Sequence, residues 1–424
     1  MNRLVFVLIV TMCGVAGAGV AVAGQPMRMQ ELRKQLADAL AKEDAVTIRK
    51  VVADVNRQLG ERAGVPETPD KYLPIPKSGK WLTRDEAAAG FEPAFKQLEK
   101  LQWWKIGMDP MQLGHTLREP AAVASGNLAV CRAKLKGAER SLVFANEAAD
   151  FLIWAQERGG AGVFPFPASR GVSQSPPFVA SEKYLKRAEI DGRFDSIVKN
   201  GWVVNDDGDG GLQFDNGECG IALLEFYEFT KDKKYLDAAK RSADWALTRP
   251  LVPNWNYNSF SVYLLAKTYR VSNEKKYLEA SKKKAVLGVI PGQLTQGPHA
   301  GRWSDAHNAR PSYHYIMLRS LAELVTVLPK DDEVRPEVLE ALRLGLKARN
   351  KDFLDQGAAN KDKAMETLLI VNLAFADDRE FLEETLSADA LDALAKLVSE
   401  QARRGSPPLG PREWGHFLEY VVSK

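Results

Sequence analysis

Cysteine is scarce in this chain, three among 424 residues, at positions 13, 131 and 219. Only Cys131 and Cys219 lie beyond the N-terminal apolar stretch, so the body can hold at most one disulfide. Two such distant cysteines more commonly serve as small buried hydrophobes. Histidine is scarce too, five in all, and no Cys/His spacing matches a zinc site. Neither sign of charge dominates, since 58 Lys and Arg face 55 Asp and Glu for a net +3. That balance argues against a nucleic-acid partner. After the N-terminus no run approaches the roughly 18 apolar residues of a membrane span. An apolar content of 45% excludes a disordered or collagen-like chain and is ample for a large core.

The single apolar run, Met1 to Ala23, places Arg3 before Leu4–Val10 and ends in Ala21-Val22-Ala23. This is the pattern of a secretory signal cut before Gly24, and it predicts a periplasmic or secreted protein. A membrane anchor is the alternative, disfavoured by the short span and its Gly/Ala-rich end. Val10-Thr11-Met12 ahead of Cys13 is not a lipobox. Residues 24–80 read as a helical segment, Gln30 to Leu59, followed by a linker carrying Pro66, Pro69, Pro74 and Pro76. The main domain spans 81–424.

That domain repeats itself. Lys234-Tyr235-Leu236-Asp237-Ala238 recurs roughly 40 residues later as Lys276-Tyr277-Leu278-Glu279-Ala280, and Leu223 and Tyr227 match Leu265 and Tyr269. A partial earlier copy sets Ala148-Ala149-Asp150-Phe151 against Ser242-Ala243-Asp244-Trp245. Each unit is a helix, a short polar turn and a second helix whose stripe is Tyr235, Ala238, Ala239, Ser242, Trp245 and Ala246. Further helices are predicted over 312–328, 335–350, 363–376, 387–403 and 412–422. Such hairpins stack as an open solenoid or close into an (α/α) toroid. The degenerate repeat, with short turns alternating with long connectors, favours an all-α toroid, incomplete or of six hairpins, behind an N-terminal helical extension.

Long connectors that occupy the same place in the repeat should emerge on one rim. Asn205-Asp206-Asp207-Gly208-Asp209-Gly210 begins like a calcium loop, but Asn216 stands where an EF-hand needs a bidentate Glu. A looser calcium site from Asp207, Asp209 and Asp215 is one reading; a solvated Asp/Gly turn is the other. A second cluster, Arg302 to Tyr315, supplies Arg302, Trp303, Asp305, His307, Arg310, Tyr313 and His314. With Trp255, Asn258 and Arg170 it offers residue types that stack on sugars, hydrogen-bond hydroxyls and hold a carboxylate. Loop packing or helix packing is the competing reading for each.

The helix ending Phe151-Leu152-Ile153-Trp154-Ala155-Gln156 with its Gly-rich exit, the acidic loop into Phe214-Asp215-Asn216-Gly217-Glu218, and the Lys-Tyr-Leu-Asp-Ala-Ala helix together resemble (α/α)-toroid carbohydrate-active enzymes. The closest likeness is to toroidal polysaccharide lyases related to pectate lyases, over residues 140–330. One departure is Gly162-Val163-Phe164-Pro165 where such lyases show Gly-Gly-Trp-Pro. The resemblance implies an acidic polysaccharide or oligosaccharide as partner and β-elimination at a uronate. Arg310, Arg170 or a calcium ion would then neutralise the carboxylate, His307 or His314 would be the base and Tyr313 the acid. Two other readings stand beside it. One is a glycoside hydrolase of the same architecture using Asp207 and Asp305; the other is a non-catalytic exported scaffold that binds glycan or protein on the rim.

Overall fold

The computed structural model describes residues 25–68, 71–101, 118–159, 189–190, 192, 210–405 and 408–424. The signal expected over 1–23 therefore lies outside the described residues. Among the described residues there is no strand, only two isolated bridges, Leu73 with Ala358 and Gln293 with Trp303. Helices α1 (Gln25–Ala41) and α2 (Ala45–Leu59) form an N-terminal hairpin, and α3 (Arg84–Gly90) and α4 (Glu92–Leu101) follow the linker. Paired helices come next: α5 (Arg118–Arg132) with α6 (Ala138–Gly159), α7 (Gly210–Thr230) with α8 (Lys233–Thr248), and α9 (Trp255–Ser272) with α10 (Lys275–Gly288). Then α11 (Pro311–Val327) pairs with α12 (Arg335–Gln356), and α13 (Lys361–Ala374) with α15 (Ser387–Arg403) across the short α14 (Arg379–Glu384). Helix α16 (Pro411–Ser423) comes last.

The first helix of each unit packs on the first helix of the next. Contacts run from α5 to α7, α9, α11, α13 and α16, and α16 returns to α5. The six inner helices thus close a ring, and α6, α8, α10, α12 and α15 lie outside it, with α3 beside α16. This is an (α/α) toroid; the contact of α16 with α5 removes the open solenoid. Neighbouring inner helices keep step, with Arg118 on Asp215, Gly217 against Phe260 and Gly220 against Leu264, and Arg132 on Glu419. They are therefore parallel. Their N-termini share one rim with the connector 289–310, and the tight turns 231–232 and 273–274 lie at the other.

Burial follows from position in the ring. The outer helix α8 buries one stripe, Tyr235, Ala238, Ala239, Ser242, Trp245 and Ala246 among its buried residues, as its periodicity predicts. The inner helix α11 is buried without a break from His314 to Val325, because it faces the lumen on one side and the outer layer on the other. The repeated Lys-Tyr has a structural purpose. Tyr235 donates to Asp150 at 3.1 Å, with Lys234 at 2.9 Å from the same carboxylate. One unit on, Tyr277 donates to Asp244 at 2.9 Å, with Lys276 at 2.7 Å. Helix α8 is thereby clasped to α6, and α10 to α8.

The N-terminal segment is fastened to this body. Glu43 pairs with Lys283 at 2.8 Å, the amide of Glu67 donates to the Ala306 carbonyl at 2.9 Å, and the Trp81 indole donates to Asp392 at 3.0 Å. Cys131 and Cys219 are both free thiols. The Cys131 thiol donates to the Ala138 carbonyl at 3.1 Å, and burial pushes it up to about 11.

Candidate functional site

The connector 289–310 lies on the rim of inner-helix N-termini, and its polar residues divide by use. Asp305, at a φ of 70°, accepts from the amides of His307 and Asn308 and from the Asn308 side chain, each at 2.8 Å. Asn308 in turn accepts from Asn256 at 3.0 Å. Both oxygens of Asp305 are thus spent on the turn that presents His307. Trp303 is buried, with its indole donating to the Val289 carbonyl at 2.8 Å. The Trp303 amide donates to Nε2 of His314 at 3.2 Å. His314 is fully buried, and burial holds it well below the usual imidazole range. Trp255 is buried against Gly292, where a Cβ would come within 2.4 Å of the indole nitrogen. Asn258 bridges Val252 and Gly288 through its amide nitrogen, at 2.8 and 2.7 Å. Arg302 reaches Asp352 at 2.5 Å.

Three of the sequence-selected residues do come together on an accessible surface. The His307 and Tyr313 rings are 4.6 Å apart, and the Arg310 guanidinium lies 5.9 Å from the Tyr313 ring centre. His307 keeps 39% of its side chain exposed and Arg310 34%. Burial lowers the His307 imidazole below its ordinary value, against the opposing pull of Asp305 and Glu67. Glu67, from the linker, stands 3.7 Å from Arg310 and 3.9 Å from His307. A carboxylate therefore already rests between the cation and the imidazole.

Arg170, Asp207 and Asp209 lie outside the described residues. Asp215, the third residue of the expected calcium set, pairs with Arg118, whose guanidinium covers Phe214 at 3.1 Å from the ring centre. Its charge is met by that cation. No group of three or more metal-ligating side chains occurs among the described residues.

The lumen holds a second constellation. Glu218 (α7), Arg319 (α11), Glu366 (α13), and Arg412 and Glu413 (α16) are buried together, with the half-buried Lys363 (α13) reaching in among them. Arg319 contacts Glu218 at 2.6 Å and Glu366 at 2.5 Å, and Arg412 closes on Glu218. Burial alone would raise Glu218, but Arg319, Lys363 and Arg412 hold it well below the usual carboxylate range. Glu413, which Lys363 reaches only at 3.6 Å, is pushed up to about 7 by burial. Above this layer Phe214 stacks on Phe260 at 3.9 Å. Of these residues only Glu218 stands out in the sequence, as the end of the acidic stretch Phe214-Asp215-Asn216-Gly217-Glu218. The available signal was Arg319 and Glu323 inside the otherwise apolar stretch of α11, since charge in a fully buried helix needs a partner.

No family model matches the chain, and no curated protein does. Solved structures do resemble it. A polysaccharide lyase superposes with a TM-score of 0.50 at 13% identity, over 80% of this chain and 96% of that one. A glycosyl hydrolase of family 88 from Bacteroides vulgatus gives 0.48 at 12% identity, over 80% and 98%. An unsaturated glucuronyl hydrolase from Streptococcus agalactiae gives 0.46 at 12% identity, over 84% and 96%. At these identities it is the fold that carries over, and the chain has the (α/α)-toroid fold of carbohydrate-active enzymes.

Proposed function

We propose that the protein is an exported polysaccharide lyase that cleaves a uronate-containing glycan on the rim of long connectors. The observation that carries the reading is the contact of His307 with Tyr313 beside Arg310, all within reach of solvent. Six parallel helix N-termini face this rim, each with a partial positive charge of roughly half a unit, which favours an anionic substrate. Arg310 binds the uronate carboxylate in the place Glu67 holds. The neutral imidazole of His307 removes the proton at C5, and the electron pair forms the C4–C5 double bond. The C4–O bond breaks, and the leaving oxygen takes the Tyr313 hydroxyl proton. Contact between the two rings lets the imidazolium pass the proton taken from C5 to the phenolate, which restores both groups. The fold likeness to a polysaccharide lyase agrees with this reading.

Formation of an unsaturated uronate, followed by absorbance on pectin, alginate and glycosaminoglycan panels, tests the proposal. His307→Ala and Tyr313→Phe should each lower kcat by about a hundredfold or more with the melting temperature unchanged. A base lowered below the usual imidazole value puts the acid limb of kcat/KM below pH 6.5, and that limb should vanish in His307→Ala. Folded protein that yields no unsaturated product on any panel overturns the reading.

A hydrolase is the second reading, favoured by one observation. Lys363 sits 3.2 Å from Glu366, which stays ionised beside Arg319, and 3.6 Å from Glu413, which burial keeps protonated up to about 7. Two carboxyl groups in opposite protonation states match the acid and base roles of glycoside hydrolysis. Saturated reducing sugar, lost in Glu413→Gln and unaffected by His307→Ala, would select it.

A further inference from the structure

The six inner helices also end together, and a cavity of about 740 Å³ opens among their C-termini. Arg132, Phe229, Arg270, Thr326, Leu373 and Ser423, one from the last turn of each inner helix, all line it. It lies at the opposite end of the lumen from His307, Tyr313 and Arg310, so it is a separate site.

Three properties of this mouth favour a cation. Parallel helix C-termini each present a partial negative charge of roughly half a unit, strongest within the last turn. Glu225, Glu228, Glu323 and Glu419 face the space with only Arg132, Lys267 and Arg270 against them, while a fifth glutamate, Glu366, is held from the lumen side by Arg319. The surplus is local, because Arg270 serves both Glu323 at 2.6 Å and Glu228 at 3.9 Å. His416 adds no compensating charge, since burial lowers its imidazole. At the floor Glu225 is 6% exposed, pairs with Lys267 only at 3.4 Å, and leaves Oε2 without a hydrogen-bond donor, with Nε2 of His416 standing off at 3.8 Å.

The remaining wall is apolar. Leu369, Ile370, Leu373 and Ala374 line it from α13, and Phe229 from α7. Leu373 is 62% and Phe229 40% exposed, among the few large hydrophobic side chains that the described residues leave in water. We infer that this mouth binds a small organic amine, its ammonium group on the glutamate side at Glu228 and Glu225 and its aliphatic stem along α13. Apolar surface removed from water and a charge-assisted hydrogen bond would act together.

Titration calorimetry of the full chain with cadaverine, against pentanediol of equal length at matched ionic strength, tests the inference. Cadaverine should bind saturably and pentanediol should not. Glu228→Gln, at a half-exposed position where folding is not at stake, should weaken cadaverine by about tenfold. Leu373→Ser should weaken it too, through the lost stem contact. Equal heats from the diamine and the diol, or undiminished affinity in Glu228→Gln, overturns the inference. A neutral oligosaccharide that binds here in competition with a silent cadaverine also overturns it.

Discussion

Arg412 shows how much one side chain can carry in this lumen. It is 2% exposed, closes on the Glu218 carboxylate and donates to the Glu218 carbonyl at 3.0 Å. Arg412→Met would keep much of the volume and leave Glu218 with less of its countercharge. Breaking a buried pair from one side costs about 3–5 kcal/mol, so a large drop in the urea midpoint is expected. A loss below about 1 kcal/mol, the range of surface pairs, would mean the cluster is wetter than its burial indicates. Glu413 gives the opposite case. Its folded value is raised from 4.5 to about 7, so the folded state binds its proton more tightly than the unfolded chain. Its contribution is complete below pH 4.5 and is lost as pH rises towards 7. Glu413→Gln keeps the neutral shape, so thermal melts across that window should lose this downward slope and converge with wild type at low pH. An unchanged slope would assign the pH dependence elsewhere.

At the scale of elements, the outer-helix clasp divides into strong and weak halves. Tyr277 is buried at its ring and donates to Asp244, whereas the Lys276 side chain is 48% exposed. Tyr277→Phe should cost about 1 kcal/mol, the net worth of one such hydrogen bond. Lys276→Ala should cost less, because water screens the exposed ammonium. Chemical denaturation of both variants reads the order directly, and the reverse order would refute the assignment. This clasp is also why the hairpins were legible in the sequence. The Lys-Tyr pair and the Asp one unit earlier recur because each copy makes the same contact. The helices expected over 312–328 and 387–403 appear at Pro311–Val327 and Ser387–Arg403. The site was less legible, for a physical reason. A long connector must satisfy its own backbone polar groups, and Asp, Asn, Trp and His do that as readily as they bind sugar. Asp305, Asn258 and Trp303 have their hydrogen bonds taken up by the connectors and their flanks, while His307 and Arg310, from the same stretch as Asp305 and Trp303, keep part of their side chains exposed.

For the whole molecule the decisive contact is the one that turns a row of hairpins into a ring. Helix α5 meets α16 backbone to backbone through two glycines. A Cβ on Gly126 would lie 1.9 Å from the Pro411 carbonyl oxygen, and one on Gly415 would lie 2.2 Å from the Gly126 carbonyl oxygen. Both obstacles are main chain, so no rotamer change relieves them. Neither glycine has a positive φ; proximity is what requires them. Nothing in the hydrophobic pattern marks this seam, because a helical glycine reads only as a weak helix former. In an isolated helix Gly126→Ala would stabilise by up to about 1 kcal/mol. In the closed ring it must push α16 away from α5, at an overpacking cost of roughly 1–3 kcal/mol or more. The sign of the change therefore reports closure. Gly126→Ala and Gly415→Ala should each lower the denaturation midpoint, and the double variant should cost less than their sum, because one displacement of α16 relieves both clashes. A stabilised Gly126→Ala variant would mean that the two helices stand apart in solution, with neither the shared rim nor the cavity at its far end then enclosed.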